Sequence, residues 1–412
     1  MRKILEIFLS ILTAVGGFVE LGELTFAQQA GARFGAELLW VIWLGTLGIM
    51  LYGEMSGRIA AVTEQPVFHV IRLVSGVRLG LLTLVAAGLV NFMTCSAEIG
   101  GMAILLRLAF GGSFRVWVLL VLLFLILAAW FLPFKWIERV FGFLGLLMLT
   151  FVVSALLLKP DWHEVGRGLV PSLPTASSGR DMLLYAFFVI SFMSSIMLPY
   201  ETYFYASGGI EDRWTPSDVP VNRTIIVIGF SLGAMVAAGL VMNGALLFKP
   251  LDIEPQRVGT ASLVADVTLG RLGWMAAMVG MFFAFGGAAL ETCFSAAYGV
   301  GQYFGWPWGK FRRPAGAPRF TLFWMLFFVL ATVPMLLGVN PVQLVEYAIV
   351  FSVVILPFSY YSILKAAGDR RYLGNYANGR WMNAFGWGYL ILITLAGLAA
   401  IPLLILTHGG KG

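Results

Sequence analysis

Six glutamates of this chain lie inside long apolar stretches, where a carboxylate is costly to place. These are Glu20, Glu23, Glu54, Glu98, Glu201 and Glu291. In the middle of a bilayer an ionisable side chain costs roughly 2.5–3.5 kcal/mol on insertion scales, so it usually faces a wet cavity, a cation or another such group. A set of this kind predicts a functional polar site within the membrane.

Three of these glutamates stand beside residues that break helices. Glu20 and Glu23 lie on either side of Gly22, and Glu201 follows Pro199. A broken helix frees backbone carbonyl groups, which membranes tolerate only where those groups line a cavity or bind something. Carboxylates and carbonyls are hard oxygen donors that suit Mg²⁺, Ca²⁺ or Mn²⁺. We therefore expect a cation cage here; the alternative is that one of these acids caps the N-terminus of a half-helix.

The other three glutamates have open alternatives. Glu291 is either a titrating group close to the cage or a protonated, hydrogen-bonded core acid. Glu98 either accepts protons or makes a structural contact between helices. Glu54 precedes Arg58 by one helical turn, and for it an ion pair at the rim of the membrane is the preferred interpretation.

The composition shows which elements must position these groups. Of the 412 residues, 59% are hydrophobic and 12% are charged, whereas soluble domains carry about 25% charged residues. This excludes a soluble enzyme, a disordered chain and a disulfide scaffold. The apolar stretches are continuous and do not alternate with a period of two, so helices are expected and a β-barrel is not. We predict an all-α polytopic membrane protein in which Cys95 and Cys293 are free, buried thiols.

Eleven apolar segments are long enough to cross a bilayer, given that about 20 residues are needed. They cover residues 4–27, 36–62, 79–108, 114–134, 137–158, 181–207, 220–248, 263–304, 319–338, 342–366 and 386–407. No room remains for a soluble domain, so residues 1–412 form one transmembrane domain. The N-terminal segment has no small-residue cleavage site, and we interpret it as the first span rather than as a signal peptide.

The distribution of basic residues predicts the orientation. The net charge is +6, and most of the 27 Lys and Arg residues fall on one side if the N-terminus is cytoplasmic and the C-terminus is outside. Such an excess is typical of loops near anionic lipid and does not indicate nucleic-acid binding. We expect a monomer in a bacterial-type inner membrane, surrounded by lipid.

A short internal similarity suggests a repeat. Residues 20–26 and residues 198–204 each contain a helix breaker, then a glutamate, then an aromatic half-helix. They belong to spans one and six, and five spans of separation would place two units in the membrane with inverted topology. That is the pattern of transporters whose site lies between two discontinuous helices. We predict repeats at 1–158 and 181–366, followed by an extra helix at 386–407.

Several segments resemble the NRAMP family of divalent metal transporters, and the similarity extends over nearly the whole chain. The matching segments are Ala32 to Trp40 leading to Met55-Ser56-Gly57-Arg58-Ile59-Ala60-Ala61-Val62-Thr63, Ala97-Glu98-Ile99-Gly100-Gly101-Met102-Ala103-Ile104, Gly168-Leu169-Val170-Pro171-Ser172-Leu173-Pro174 and Leu356-Pro357-Phe358. The resemblance implies a LeuT-like fold with an inverted 5+5 repeat, discontinuous helices 1 and 6, secondary transport by alternating access and coupling to protons. It places the metal site at Glu20, Glu23, Leu198, Tyr200, Glu201 and Glu291, and the proton pathway at Glu98.

The chain departs from the family pattern within the site itself. Where members have Asp-Pro-Gly-Asn it has Glu20-Leu21-Gly22-Glu23, and where they have Met-Pro-His it has Leu198-Pro199-Tyr200, followed by Glu201. Glu291 replaces a glutamine of many members, and Ile349 stands near an expected polar residue. The thioether and imidazole are thus missing, and both the usual preference for softer metals and the usual proton route are in doubt.

These departures predict transport of a harder divalent cation, Mg²⁺ or Mn²⁺. The ion would be the cargo, and no resident cofactor, ATP-binding loop or enzymatic residue set is expected. The alternative is a LeuT-fold carrier of an organic cation or amino acid, in which Phe26, Tyr200 and Tyr203 contact the substrate. A membrane sensor is a third class, which the lack of a soluble domain disfavours.

Overall fold

The computed structural model describes residues 19–172 and 179–410, and within these ranges every regular element is helical. In chain order the helices are α1 (Leu21–Phe34), α2 (Leu39–Thr63), α3 (Val67–Phe110), α4 (Phe114–Phe131), α5 (Phe134–Leu157), α6 (Trp162–Gly168), α7 (Gly179–Ser195), α8 (Pro199–Glu211), α9 (Val219–Asn243), α10 (Val258–Phe304), α11 (Pro318–Leu336), α12 (Pro341–Gly368), α13 (Arg370–Leu373) and α14 (Arg380–Leu406). The all-α prediction is confirmed.

The described residues contain ten helices or helix pairs that are long and apolar enough to cross a membrane. They correspond to predicted spans two to eleven. The first predicted span begins among residues 1–18, which lie outside the described ranges, and only its second half is seen as α1. Helix α1 extends to Phe34 instead of ending at residue 27. It ends there because the next residue, Gly35, has a φ of 65°, which a right-handed helix cannot continue through.

The sixth span is divided, as the proline predicts. Helix α7 ends at Ser195, and α8 begins at Pro199 after Leu198, which has the extended angles φ −67° and ψ 131°. Proline suits the first position of a helix because it has no N–H to leave unpaired. Helix α1 starts in the same way, after an extended Glu20 with φ −91° and ψ 175°. Helices α1 and α8 therefore both begin directly after a residue with extended backbone angles.

Two further helices, one in each half of the chain, are bent at a glycine. Helix α3 bends at Gly76, with φ 81°, and α10 bends at Gly270, with φ 67°. Only glycine adopts such angles without strain. The predicted span 79–108 begins after the bend at Gly76, and the predicted span 263–304 contains the bend at Gly270. The observed helices begin earlier, at Val67 and Val258, and so include residues that were not assigned to a span.

Close helix packing fixes the position of α1. A Cβ atom added to Gly31 would lie 1.9 Å from the carbonyl oxygen of Val241, so α1 and α9 approach each other backbone to backbone. On its other side Gly22 faces Ile349 and Val345 of α12. Small residues at such crossings permit the tight contact that membrane helices use for association. Helix α1 is thus held between α9 and α12, with its N-terminus near the centre of the bundle.

Candidate cation site

The N-termini of α1 and α8 carry acids at equivalent positions. Glu23 is the third residue of α1, and Glu201 is the third residue of α8. Their residues are 2% and 5% exposed. The short repeat seen in the sequence therefore corresponds to two similarly built helix starts, each with a buried carboxylate in its first turn.

Glu20 precedes α1 but does not cap it. Its carboxylate lies close to the N–H groups of Gly22 and Glu23 and to the Glu98 carboxyl, but neither of its buried oxygens has the geometry of a hydrogen bond to them. The cap comes from α3 instead, because Glu98 Oε1 accepts the N–H of Leu21 at 3.0 Å. The second oxygen of Glu98 has no partner. Glu98 therefore makes a contact between α3 and α1, which is one of the two roles predicted for it, and the oxygens of Glu20 remain available for another role.

The predicted glutamates lie within electrostatic range of each other. The Glu201 carboxyl interacts with those of Glu291, Glu23 and Glu20, and the carboxyl groups of Glu98 and Glu20 also interact electrostatically. Carboxylates this close in a dry environment are stable only if they share protons or bind a cation.

Tyr200 and Leu198, which were also predicted for the site, contribute differently. The hydroxyl of Tyr200 is buried, has no partner, and lies in the field of Glu20, Glu98, Glu201 and Glu291. It is therefore available as a neutral oxygen donor. Leu198 is fully buried, and its carbonyl accepts the N–H of Glu201 at 3.2 Å. Leu198 thus offers no side-chain ligand, and its carbonyl is partly engaged.

The five site carboxylates have no cationic partner among the described side chains. The ion pairs found there involve other acids: Glu54, Asp212, Glu254 and Asp369. Nor do any three described Asp, Glu, His or Cys side chains come together closely enough to hold a metal ion as they stand. A divalent ion would therefore keep part of its water shell or draw the carboxylates inward, as Mg²⁺ sites with few protein ligands do.

Some residues near these groups were not predicted. Ser194, close to the end of α7, donates to the carbonyl of Ile349 at 2.8 Å, so the α7 break and α12 are connected. Asn91 and Thr94 follow the same face of α3 as Glu98, and each has a buried oxygen without a partner. Asn91 could have been found from the sequence as a polar residue in an apolar span. The role of Ser194 depends on a contact that only the fold creates.

Glu54 has the ion pair that the sequence predicts, and more. Arg58 donates to it from Nε at 3.0 Å and from Nη2 at 2.9 Å. Arg223 of α9 adds a third contact at 3.1 Å. Arg58 also binds Asn378, in the segment between α13 and α14, at 2.6 Å. Glu54 is therefore a structural anchor that joins α2, α9 and the segment before the last helix.

The far ends of the two half-helices are also fixed by charge. Arg33 near the end of α1 pairs with Glu254 at 2.8 Å. Glu211, which occupies the equivalent position at the end of α8, accepts the N–H of Phe311 at 2.9 Å and the hydroxyl of Tyr298 at 2.8 Å. Each half-helix is thus held at one end by a charged residue while its other end points at the carboxylates.

Comparison with known proteins places this geometry in a family. The family model described as natural resistance-associated macrophage protein-like (Nramp) matches residues 10–402. A divalent metal cation transporter, MntH 1, of Pseudomonas aeruginosa is 27% identical, over 93% of this chain and 88% of the relative.

Solved structures show the same fold. A manganese transporter of Eremococcus coleocola, in complex with an aromatic bis-isothiourea compound, superimposes with a TM-score of 0.78 at 20% identity, covering 98% of this chain and 87% of that one. MhsT in complex with L-phenylalanine does so with a TM-score of 0.63 at 15% identity, covering 97% and 98%. The LeuT-like fold is thereby confirmed, and the break in span six is seen directly between α7 and α8.

Proposed function

Since the chain belongs to the natural resistance-associated macrophage protein-like family, we propose that it carries a hard divalent cation, Mg²⁺ or Mn²⁺, across a membrane by alternating access. Relatives over nearly its whole length are divalent metal cation transporters. The proposal makes the ion the cargo of a secondary transporter and gives the protein no enzymatic role.

One observation supports this proposal: several buried carboxylates lie at or near the starts of α1 and α8 without any described basic partner. Glu20 has both oxygens unpaired, and Glu98 and Glu201 each have one. Leaving such groups buried and uncompensated costs several kcal/mol per charge, so a binding partner for them is expected. A cation from solution supplies that partner once in each transport cycle.

The type of donor argues for a hard ion. The site offers the carboxylates of Glu20, Glu23, Glu201 and Glu291 and the hydroxyl of Tyr200, all of them oxygens. Sulfur and imidazole ligands, which favour softer transition metals, are replaced by Leu198 and Tyr200. Mg²⁺ and Mn²⁺ accept such a set, and Mg²⁺ in particular retains several waters.

The number of acids argues for coupling to protons. Four or five carboxylates carry more negative charge than one divalent ion neutralises, so the binding of the metal must exchange with protons on some of them. Glu98 suits this exchange because one oxygen holds the α1 N-terminus and the other is unpaired. We place the protein in a bacterial inner membrane with its N-terminus in the cytoplasm and propose that it acts as a monomer.

The test is uptake into proteoliposomes that contain the purified protein. Mg²⁺, Mn²⁺ and Ca²⁺ are compared for wild type, Glu23→Gln and Glu201→Gln, with the exposed Glu164→Gln as the matched control. We expect saturable uptake of Mg²⁺ or Mn²⁺. Changing a residue that only hydrogen-bonds to a metal ligand lowers metal affinity about 10–100-fold, so loss of a direct ligand should reduce affinity by about 100-fold or more.

Two outcomes would contradict the proposal. Folded protein that takes up no divalent cation would redirect attention to organic cations and amino acids, and inhibition by amines would then support that carrier function. Equal uptake by all four forms would show that transport occurs without these carboxylates.

A further inference from the structure

A crevice of about 210 Å³ lies at one end of the bundle, outside the carboxylate site. It is formed by the end of α4, the start of α11 and the loop between α10 and α11 (residues 305–317). Its walls include the cations Lys310 and Arg312 and the aromatic residues Trp130, Phe131 and Trp324. Its described walls contain no acidic residue, so the crevice combines a basic mouth with an apolar side.

The two cations retain free hydrogen-bond donors. Lys310 Nζ donates to the carbonyl of Ala129 near the end of α4, which leaves two of its three protons. Arg312 is exposed and lies over the ring of Phe311 at 5.3 Å. Neither forms an ion pair with any acid whose side chain the structure describes. The crevice thus presents two cations that form no ion pair with a described acid, although the Glu211 carboxylate lies near Lys310.

The crevice lies where a membrane surface would meet the protein. Helix α4 is an apolar span that ends at Phe131, which is 71% exposed, and Trp130 beside it is 44% exposed. Exposed aromatic residues at the ends of spans mark the level of the lipid headgroups. Alternation of the spans puts this loop on the same side as the other basic loops, where anionic lipid is attracted.

We propose that this crevice binds the headgroup phosphate of an anionic phospholipid, with Lys310 and Arg312 as its ligands. The phosphate would meet both cations, and the acyl chains would follow the exposed apolar surface of α4 and α11. A basic pocket between spans with apolar walls suits a phospholipid better than free phosphate, which would leave those walls in water.

The occupied crevice would also support one of the half-helices. The backbone N–H groups of Lys310 and Phe311 both donate to Glu211, the last residue of α8. A lipid that orders this loop therefore strengthens the hold on the far end of α8. Lipid binding itself does not depend on the proposed cargo and can be tested in protein that transports nothing.

The protonation of Lys310 makes the site sensitive to pH. Burial lowers the pKa of this lysine to about 8, partly offset by the nearby Glu211. The other polar or charged groups close to it are Arg312, the hydroxyl of Tyr298 and the Ala129 carbonyl. Since the lysine is charged below this pKa, lipid affinity should be full near pH 7 and should fall as the pH rises through about 8.

The experiment measures lipid retention by native mass spectrometry, using the purified, delipidated full chain. Phosphatidylglycerol, phosphatidylcholine and inorganic phosphate are added separately to wild type, Lys310→Gln/Arg312→Gln and Arg313→Gln. Arg313 is the matched control, because it carries the same charge in the same loop but does not line the crevice. We expect retention of phosphatidylglycerol and a roughly 30-fold loss in the double variant, which is the ~2 kcal/mol expected for two basic contacts.

A variant that preserves both charges and three further outcomes complete the test. Lys310→Arg/Arg312→Lys keeps both positive charges. Because arginine remains charged at high pH, this variant should retain phosphatidylglycerol at pH 7 and also above pH 8, where wild type loses it. Equal loss in Arg313→Gln would overturn the proposal in favour of diffuse surface attraction. Equal retention of phosphatidylcholine, or displacement of the lipid by millimolar phosphate, would also overturn it.

Discussion

Glu54 and Glu20 are both buried carboxylates of the same bundle, and their surroundings are opposite. Glu54 is 7% exposed and is bound by Arg58 and Arg223, with the shortest contact at 2.9 Å. Glu20 is fully buried, and neither of its oxygens has a hydrogen-bond partner. The protein supplies cations to the first residue and none, among its described side chains, to the second.

This difference shows that burial alone does not identify a functional carboxylate. The arginines convert Glu54 into an anchor that joins three parts of the chain. Glu20 and the acids around it have the same cost of burial without that compensation. A cation that arrives and leaves can supply it, whereas a built-in arginine cannot. The contrast can be tested on stability as well as on transport.

The largest expected effect is on stability, and it differs between the two residues. Glu54→Gln leaves the Arg58 guanidinium, whose side chain is 3% exposed, without its counter-charge. Breaking a buried pair in this way costs about 3–5 kcal/mol. Glu20→Gln removes one charge from a group of like charges and should leave the metal-free protein equally or more stable. Unfolding in detergent micelles, followed by intrinsic tryptophan fluorescence, measures both.

Glu164→Gln on the exposed helix α6 is the control for a generic loss of charge, and we expect it to match wild type. If Glu20→Gln destabilised the metal-free protein as much as Glu54→Gln does, Glu20 would have a structural partner. The comparison between the two residues would then fail.

The next effect is stabilisation by the cargo. A ligand at 100 times its Kd that binds only the folded state raises the free energy of unfolding by about 2.7 kcal/mol. Wild type should show this increase with Mg²⁺ or Mn²⁺, and Glu20→Gln should lose most of it. Arg223→Gln, which removes one of the two arginines bound to Glu54, should lower the free energy of unfolding of the metal-free protein. It should still show the full increase when Mg²⁺ or Mn²⁺ is added. An increase of the same size in Glu20→Gln would remove Glu20 from the site.

The sequence predicts contacts between residues that are close in the chain and misses contacts between residues that are far apart in it. The Glu54–Arg58 pair follows from its spacing of one helical turn. Arg223 could not be assigned to it, because that contact joins residues far apart in the chain and depends on how α2 packs on α9. The break before α8 follows from Pro199, which acts on its own backbone, whereas Gly22 is helical and lies one residue after the start of α1.

The capping of α1 shows the same limit more sharply. From the sequence, Glu20 is expected to be a cation ligand, with capping of the half-helix as the alternative, and Glu98 is a proton acceptor or a helix contact. The structure assigns the cap to Glu98, 77 residues away. The geometry of α1 against α3 decides which acid reaches the N–H of Leu21, and a single sequence contains no direct record of that geometry. The family resemblance predicts a metal site in this region but does not predict that Glu98 binds the N–H of Leu21.

The smallest effect concerns placement alone, with every charge retained. A Cβ atom at Gly22 would lie 2.3 Å from Glu20 Oε1 and 2.3 Å from Ile349 Cδ1, so Gly22→Ala must displace the carboxylate, the α12 side chain or both. We expect cation affinity, measured by the thermal shift with Mg²⁺ or Mn²⁺, to fall about tenfold, equivalent to ~1.4 kcal/mol. Gly88→Ala on α3, where a Cβ has nothing within 4 Å, is the control and should bind normally. Unchanged affinity in Gly22→Ala would mean that Glu20 acts through its charge and not through its position, and the cation would then interact with Glu20 through water.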